Sequence, residues 1–510
     1  MSEFQKIDVS SDHKGNADVD RYIDAAPGVK RHEVSPVNAK ENRELYSSRV
    51  PIYPKRVSGT YRNLKWIAMA LTLGVYYILP WLRWERGENL PNQAFLIDFA
   101  NQRILFFGLE IWAQEFYYVT GLLVVATLLL YLITSLAGRV WCGYSCPQTV
   151  WTDLMIAVER FFEGDRNARM KLDKSPWNFT KIRKKAATHF TWLIISVATG
   201  GMMVFYFRDA PTLMMEFINF EAPAIAYIFL GIFAGTTYLL GGFAREQVCT
   251  YMCPWPRIQG ALFDKDSLLV TYRDNRGEPR GPHKKNEPWD NRGDCITCKQ
   301  CVVVCPMGID IREGPQLECI QCALCIDACN SVMDKIGRPR NLIAYDSYRN
   351  IEMGGGEQHL GWRLIRARTI LYTVLIFAVS GLMAYGLLSK SVVDVSVLRD
   401  RNPLYVRLSD GSVRNGYTVK ILNKLYETRR FKLEVEGLPQ PQMSIIGVDE
   451  TSKNIIDVTS DDLRILRVYL KVPHAGLSGL KDDITDFNFM VTDLKDDTKE
   501  RQSTTFRRPK

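Results

Sequence analysis

Residues 295–306 read CITCKQCVVVCP, and residues 319–329 read CIQCALCIDAC. Each stretch spaces its cysteines as C-x2-C-x2-C-x3-C, which is the doubled spacing of bacterial two-cluster ferredoxins. A C-x2-C-x2-C loop supplies three thiolates to one 4Fe-4S cubane, and the fourth thiolate comes from the other run. The sequence therefore predicts two 4Fe-4S clusters in this segment.

The last cysteine of each run is expected to cross over to the other cluster. The predicted ligands of cluster 1 are Cys295, Cys298, Cys301 and Cys329. The predicted ligands of cluster 2 are Cys305, Cys319, Cys322 and Cys325. Zinc is the alternative, but it prefers paired C-x2-C arms around one tetrahedral ion, and two triple-cysteine runs exceed such a site. Pro306 follows the first run as expected, whereas Asn330 follows the second.

The other four of the twelve cysteines form two C-x3-C-P motifs, both of which read C-x-Y-x-C-P. The motif cysteines are Cys142 with Cys146 and Cys249 with Cys253, and Arg139 and Arg245 precede the two motifs. If the helices before the motifs are neighbours, the four thiols converge. Four soft thiolates suit Cu(I), zinc or a further iron–sulfur centre, and a pair can also cycle between dithiol and disulfide. The structural alternative is that these residues only pack helix ends.

Five stretches have the roughly 20-residue apolar length that spans a bilayer core. They are residues 64–82, 116–136, 188–207, 223–243 and 369–388. Each is almost free of charge, and a charged side chain at mid-bilayer costs on the order of 2.5 to 3.5 kcal/mol. The sequence therefore predicts five transmembrane helices rather than the buried helices of a large soluble core.

Basic residues orient these spans, because connections rich in Lys and Arg stay on the cytoplasmic side. Residues 208–222 carry only Arg208, whereas residues 137–187 carry ten basic residues. The ten are Arg139, Arg160, Arg166, Arg169, Lys171, Lys174, Lys181, Arg183, Lys184 and Lys185. The N-terminus and all twelve cysteines are therefore predicted on the cytoplasmic side, and the segment after Leu388 outside. The net charge of +9 then indicates attraction to the lipid bilayer, and no nucleic-acid partner is expected.

The chain is expected to fall into five parts. These are 1–60, a cytoplasmic tail; 61–243, four spans with the first C-x3-C-P loop; 244–367, the second C-x3-C-P motif and the ferredoxin domain; 368–390, the fifth span; and 391–510, a periplasmic domain. Charge and few aliphatic side chains predict that residues 1–50 are largely disordered. The last part alternates apolar and polar residues between Gly, Asn and Asp breakers, which predicts a small antiparallel sandwich.

Three further features concern the membrane segment. A helix after the first motif is predicted to lie in the headgroup plane, because Val150, Leu154, Val158 and Phe161 form an apolar face. Only His189 of the six histidines touches a span, so one chain cannot build a haem site with two histidine ligands. Met202, Met203, Met214 and Met215 are soft enough to bind Cu(I), but apolar filling is their ordinary use.

The order of these parts resembles a known family. The resemblance rests on VPIYPKRVSG at 50–59, PNQAF at 91–95, the two C-x3-C-P motifs and the doubled ferredoxin run. Together these closely resemble the cytochrome c oxidase accessory proteins called CcoG, FixG or RdxA, over nearly the whole chain after residue 45. The resemblance implies a multi-domain membrane protein of the bacterial inner membrane, in which an α-helical transmembrane bundle carries an inserted two-cluster ferredoxin domain and a C-terminal all-β immunoglobulin-like sandwich.

The resemblance also implies a function. Members of the family are implicated in assembling the cbb-type cytochrome oxidase by reducing Cu(II) to Cu(I), which makes the chain an oxidoreductase with a copper or redox site at the C-x3-C-P cysteines. The expected partners are oxidase assembly factors or copper transport proteins and an unidentified electron donor. Two alternatives stay open, namely a quinol-linked electron carrier to a periplasmic reductase and an assembly scaffold whose clusters sense redox state.

Overall fold

The computed structural model describes residues 23–38, 50–86, 91–283, 288–353, 364–389, 393–423, 427–448, 454–459, 462–477, 480 and 482–509. The chain divides into two compact units. The first contains residues 1–84 and 91–383, and the second contains residues 85–90 and 384–510. All twelve cysteines belong to the first unit.

The strands before residue 384 are β1 (Ile23–Ala26), β2 (Val29–Arg31), β3 (Phe95–Asp98), β4 (Arg103–Phe106), β5 (Leu109–Trp112), β6 (Leu269–Tyr272) and β7 (Ile343–Asp346). The helices are α1 (Thr60–Ile78), α2 (Tyr117–Ala137), α3 (Val140–Tyr144), α4 (Pro147–Glu163), α5 (Arg166–Lys174), α6 (Phe179–Phe205), α7 (Ala210–Ile218), α8 (Ala224–Thr236), α9 (Trp255–Leu262), α10 (Asp274–Gly277), α11 (Gln300–Val303), α12 (Leu324–Ile336), α13 (Tyr348–Glu352) and α14 (Ala367–Leu388). Two π-helical segments, Thr237–Ala244 and Val248–Met252, follow α8.

Five helices in the described part of the chain are long and apolar enough to cross a membrane, as predicted. They are Thr60–Trp81, Tyr117–Ala137, Phe179–Phe205, Ala224–Ala244 and Ala367–Leu388. Most of their apolar surface is not covered by protein, since at most 39% of the apolar stretch in any of these helices is buried. Such helices suit a hydrocarbon surrounding rather than water.

A glycine and a proline set the two ends of the turn that contains the first C-x3-C-P motif. Span α2 ends at Gly138, whose φ of 63° is left-handed and whose amide donates to the carbonyl of Thr134. Helix α4 begins with Pro147, which suits a first helical position because it needs no amide donor there. The motif therefore occupies the short turn between a span and the next helix.

The fourth span reaches the second motif in a different way. Its last residues, Thr237–Ala244, are π-helical rather than α-helical, and Arg245 then has a left-handed φ of 40°. A second π-helical turn, Val248–Met252, carries Cys249. Wide turns of this kind often occur at functional sites, because they change the direction in which side chains point.

The ferredoxin segment has a hairpin from the start of the chain in its core. Strands β1 and β2 pair antiparallel, and Ala25, Ala26 and Val29 are buried in the same core as Cys295. The predicted disorder is therefore wrong for residues 23–38, because three small apolar side chains anchor this charged stretch. The rest of the stretch, residues 1–22 and 39–49, lies outside the described residues.

The second unit is an antiparallel sandwich, as predicted. Its strands are β8 (Val393–Arg399), β9 (Val406–Arg407), β10 (Val413–Asn423), β11 (Arg429–Glu436), β12 (Gln442–Ile445), β13 (Ile455–Val458), β14 (Asp462–Val472), β15 (Ile484–Asp493) and β16 (Lys499–Arg507), with the short helix α15 (His474–Leu477). One sheet has the order β12-β14-β10-β8 with β9 also on β10, and the other has the order β13-β11-β15-β16. Tyr417, Phe431, Phe487, Phe489 and Phe506 fill the core between them.

Candidate iron–sulfur and thiol site

The structure gathers the eight ferredoxin cysteines around two neighbouring cavities. The cysteines that line the first cavity are Cys295, Cys298, Cys301 and Cys329. The cysteines that line the second cavity are Cys301, Cys305, Cys319, Cys322 and Cys325. Each predicted set of four therefore shares one cavity, including the cysteine expected to cross over. Cys301 borders both cavities, which places them side by side.

Both C-x2-C-x2-C loops have the same unusual backbone. Thr297 and Lys299 in the first loop, and Gln321 and Ala323 in the second, have left-handed φ values between 55° and 60°. Side-chain-bearing residues rarely adopt this conformation, and it usually marks a function that requires it. Here it turns the loop around the cavity that its cysteines line.

Backbone amides also point at the cysteine sulfurs. The amide of Gln300 donates to Cys298, and the amide of Gln321 donates to Cys319, so in each case the donor lies two residues after the cysteine. Hydrogen bonds to the sulfurs are one of the means by which a protein tunes an iron–sulfur cluster. The donor set, the cavities and the loop geometry therefore fit one cubane in each cavity.

Burial controls the protonation of these thiols. It raises the pKa of Cys298 and Cys319 to about 11 and that of Cys305 to about 12. Without metal, the thiols are neutral at physiological pH, and they must lose their protons when metal binds.

The two C-x3-C-P motifs come together, as expected if their helices are neighbours. Burial, together with repulsion from Cys146 and Cys253, raises the pKa of Cys142 to about 11. Burial and repulsion from the other three motif thiols raise the pKa of Cys249 to about 12. Each thiolate would therefore act on its neighbours, and we call Cys142, Cys146, Cys249 and Cys253 the four-thiol site.

The four-thiol site lies beside the second ferredoxin cavity. Cys142 and Cys249 pack against the same apolar core as Cys305, Cys319 and Cys325. This shared core joins cysteine residues of the membrane segment to cysteine residues of the ferredoxin segment.

The contact is close because a glycine permits it. A Cβ on Gly143 would lie 2.9 Å from the carbonyl oxygen of Ile320 and 3.0 Å from that of Gln321. The adjacent Tyr144 hydroxyl donates to the carbonyl oxygen of Cys322, 3.4 Å away. The middle of the first motif therefore lies directly against the C-x2-C loop of the second cavity.

Among the described residues, no three His, Cys, Asp or Glu side chains are arranged to hold a single metal ion. This applies equally to the eight ferredoxin cysteines and to the four-thiol site. A cubane holds its thiolates farther apart than one ion does, because each thiolate binds a different iron. A single copper ion would therefore require the four thiols to close around it.

Helix α4 carries three buried carboxylates that the sequence reading did not identify. Asp153 pairs with Arg62 of the first span, Glu159 pairs with Arg169 and Arg245, and Glu163 pairs with Lys185. Buried charges are stable only when paired in this way. The available signal was three acidic residues on a helix that also carries many apolar side chains.

The ion pairs define the side of α4 that packs on the protein, whereas the predicted position of this helix in the headgroup plane stays a prediction. Phe161 is 81% exposed, whereas Asp153 is 7%, Glu159 6% and Glu163 1% exposed. Trp192 of the third span donates to the carbonyl oxygen of Met155 at 3.1 Å. The helix is therefore attached to the spans through its charged side.

The histidine and methionine candidates have other contacts. His189 hydrogen-bonds to the Tyr238 hydroxyl at 3.0 Å and stacks on Phe243. Met202 packs into an apolar cluster with Val204, which is the filling use of methionine.

Three family models match this sequence. The model described as a 4Fe-4S dicluster domain matches residues 244–348, and the model described as a 4Fe-4S binding domain matches residues 119–164. The model described as the IG-like fold at the C-terminal of FixG matches residues 383–509. The chain therefore carries iron–sulfur domains on both sides of the contact between the motifs and the ferredoxin loops.

Curated relatives match most of the chain. The nitrogen fixation protein FixG of Rhizobium meliloti is 49% identical, and the match covers 87% of this chain and 91% of that protein. This chain belongs to the FixG family. Protein RdxA of Cereibacter sphaeroides is 48% identical over 88% of this chain and 95% of its own length. As a FixG family member with five apolar helices and iron–sulfur domains, the chain is a membrane iron–sulfur electron-transfer protein.

More distant matches cover parts of this FixG family chain. The ferredoxin-type protein NapH of Escherichia coli is 21% identical over 53% of this chain and 89% of its own length. A crystal structure of a FixG-related protein from Vibrio parahaemolyticus has 25% identity and covers 23% of this chain and 97% of that chain, with a TM-score of 0.20.

Proposed function

We propose that this chain reduces Cu(II) to Cu(I) at the four-thiol site with electrons from two ferredoxin clusters, and that the Cu(I) serves assembly of a cbb-type cytochrome c oxidase. One observation carries the route. Cys142 and Cys249 share an apolar core with Cys305, Cys319 and Cys325, so the proposed copper site adjoins the proposed second cluster.

The ligand assignment is part of the proposal. Cluster 1 takes Cys295, Cys298, Cys301 and Cys329, and cluster 2 takes Cys305, Cys319, Cys322 and Cys325. When bound, the clusters supply electrons one at a time, at potentials that can lie well below that of Cu(II). Each Cu(II) gains one electron, which a reducing cytoplasmic protein or a quinol replaces.

The four thiols of the site favour Cu(I), the product of the proposed reaction. Four buried thiols are soft ligands, and soft ligands stabilise Cu(I) over Cu(II). Cu(I) binding also relieves the repulsion that raises the pKa of Cys142 and Cys249.

A third iron–sulfur centre at the four thiols is the second candidate. The match to a 4Fe-4S binding domain over residues 119–164 includes Cys142 and Cys146 and favours it. In that case the four thiols carry electrons onward, and copper is reduced elsewhere or is not the acceptor.

We also propose that the protein lies in the bacterial inner membrane, with the N-terminus and the ferredoxin segment in the cytoplasm and residues after Leu388 in the periplasm. The ten-to-one distribution of basic residues between 137–187 and 208–222 supports this orientation.

The test uses full-length protein purified anaerobically, reduced with dithionite, freed of reductant and mixed with Cu(II). Three cysteine variants are compared, in which serine replaces the first motif pair, the second pair or all four. Residues that act as one unit are non-additive, so we expect each pair to cost as much Cu(I) formation as all four. Iron should stay at about eight atoms per chain, the content of two cubanes.

The control variant replaces Met214 and Met215 with leucine, which removes two of the four methionines that could bind Cu(I) and should leave Cu(I) formation unchanged. Independent, additive losses from the two motif pairs would refute a shared site. A fall of about four iron atoms per chain in the motif variants would instead establish the third cluster.

A further inference from the structure

Arg139 and Arg245 precede the two C-x3-C-P motifs, and the proposed route gives neither of them a role. Both are buried, at 2% and 7% exposed. Their partners differ. Arg245 forms an ion pair with the carboxylate of Glu159 and lies over the ring of Trp192.

Arg139 uses its donors on carbonyl oxygens instead. Its guanidinium donates to the carbonyl oxygens of Leu317, Cys319 and Pro256, and its backbone amide donates to the Gln321 side chain at 2.9 Å. Leu317 and Cys319 belong to the approach and start of the second C-x2-C loop, and Pro256 lies just after the second motif. One side chain therefore ties the first motif to both the second motif and the ferredoxin loop.

The positive charge of Arg139 interacts mainly with cysteine thiols. The groups that act on it electrostatically are, in decreasing order, Cys142, Cys319, Glu318 and Cys253. Two of these thiols belong to the four-thiol site and one to the second ferredoxin cavity. A buried cation interacts strongly with neighbouring charges, because little water screens it.

We propose that Arg139 is a positioning residue that couples the second cluster to the four-thiol site. Its guanidinium fork holds the Cys319 loop against both motifs, and its charge makes the second cluster easier to reduce, because reduction adds a negative charge beside a cation. This inference rests on the proposed electron route for its role, but the effect of the charge on the cluster requires no copper.

The experiment compares Arg139→Met, Arg139→Lys and Arg245→Met in the full-length, anaerobically purified protein. Potentiometric titration followed by electron paramagnetic resonance gives the potential of each cluster, and iron analysis reports loading. A stopped-flow measurement gives the rate at which Cu(II) reoxidises the dithionite-reduced protein.

Arg139→Met should lower the potential of the second cluster and leave that of the first unchanged. Arg139→Lys keeps the charge, so the potential should stay near that of the original protein. Lysine lacks the planar fork, so reoxidation should slow by about tenfold, equivalent to about 1.4 kcal/mol on the barrier. Arg245→Met should leave the potential of the second cluster unchanged.

An unchanged second potential in fully loaded Arg139→Met would overturn the proposal. If Arg139→Met loses iron, the proposal is tested with Arg139→Lys instead. A reoxidation rate of Arg139→Lys equal to that of the original protein would overturn the positioning role. An equal fall of the potential in Arg245→Met would show that any buried cation has the effect, which also overturns it. Failure of copper reduction alone would count against the proposed function, while the potentials would still test Arg139.

Discussion

Arg62 donates through one nitrogen, Nη1, to both carboxylate oxygens of Asp153, each 2.9 Å away. Both side chains are buried, at 6% and 8% exposed, and the Lys65 ammonium lies 3.8 Å from the same carboxylate. The pair joins the first span to the helix that follows the first C-x3-C-P motif. Because that helix begins directly after Cys146, the pair fixes one side of the four-thiol site.

Asp153→Asn should strongly destabilise the protein. It leaves Arg62 and Lys65 without their shared anion, and breaking a buried pair in this way costs about 3 to 5 kcal/mol. Membrane abundance and the thermal unfolding of detergent-solubilised protein report the loss. The control is Glu352→Gln, because the Lys265–Glu352 pair is exposed at 67% and 57% and should contribute less than about 1 kcal/mol. Equal effects of the two substitutions would contradict the assigned burial.

The contribution of Asp153 should depend on pH. Burial raises its pKa, but Lys65 and Arg62 together outweigh burial and hold the pKa below its ordinary value. A lowered folded-state pKa means stability that is present above the unfolded value of about 3.9 and is lost as the pH falls through the folded value. The difference in unfolding free energy between the original protein and Asp153→Asn should therefore be nearly constant above about pH 5 and shrink between about pH 5 and about pH 3. A difference that stays constant over this range would refute the charged state of Asp153.

Single cysteine substitutions should remove the two clusters separately, because different cavities hold them. Cys298→Ala should cost about four iron atoms and the signal of one cluster, and Cys322→Ala should cost the same amount and the other signal. Iron analysis and electron paramagnetic resonance of anaerobic preparations measure both. Ser331→Ala, two residues after Cys329 in helix α12, is the control. Zinc in place of iron, with fewer than about three iron atoms per chain, would contradict the cluster assignment.

Local sequence was sufficient to predict the spans, the two cysteine runs and the sandwich, because spacing and periodicity encode each of them over short distances. The carboxylates of α4 were not predicted, since their partners lie in α1, α5, α6 and the turn after the fourth span, and no spacing rule connects Glu159 with Arg245. The hairpin at 23–31 was missed for the same reason. Its composition predicts disorder, and the residues that it packs against come much later in the chain.

Reporter fusions should confirm the proposed orientation. Alkaline phosphatase is active only outside the cytoplasm, so a fusion after Lys390 should be active and one after Arg340 inactive. The excess of basic residues in 137–187 is the physical cause, because such connections resist translocation. A matched fusion of a cytoplasmic fluorescent protein at the same two positions should give the opposite pattern. Activity after Arg340 would overturn the orientation and place the cysteines in the other compartment.

The early hairpin sets an order for biogenesis. His32 hydrogen-bonds to the Gln300 side chain at 2.9 Å, although the two residues are 268 positions apart. The ribosome therefore makes four spans after the hairpin and before the hairpin's partner. The core around the first cavity can close only once those spans have been synthesised, so the hairpin stays without its core until the chain has been made as far as the ferredoxin segment.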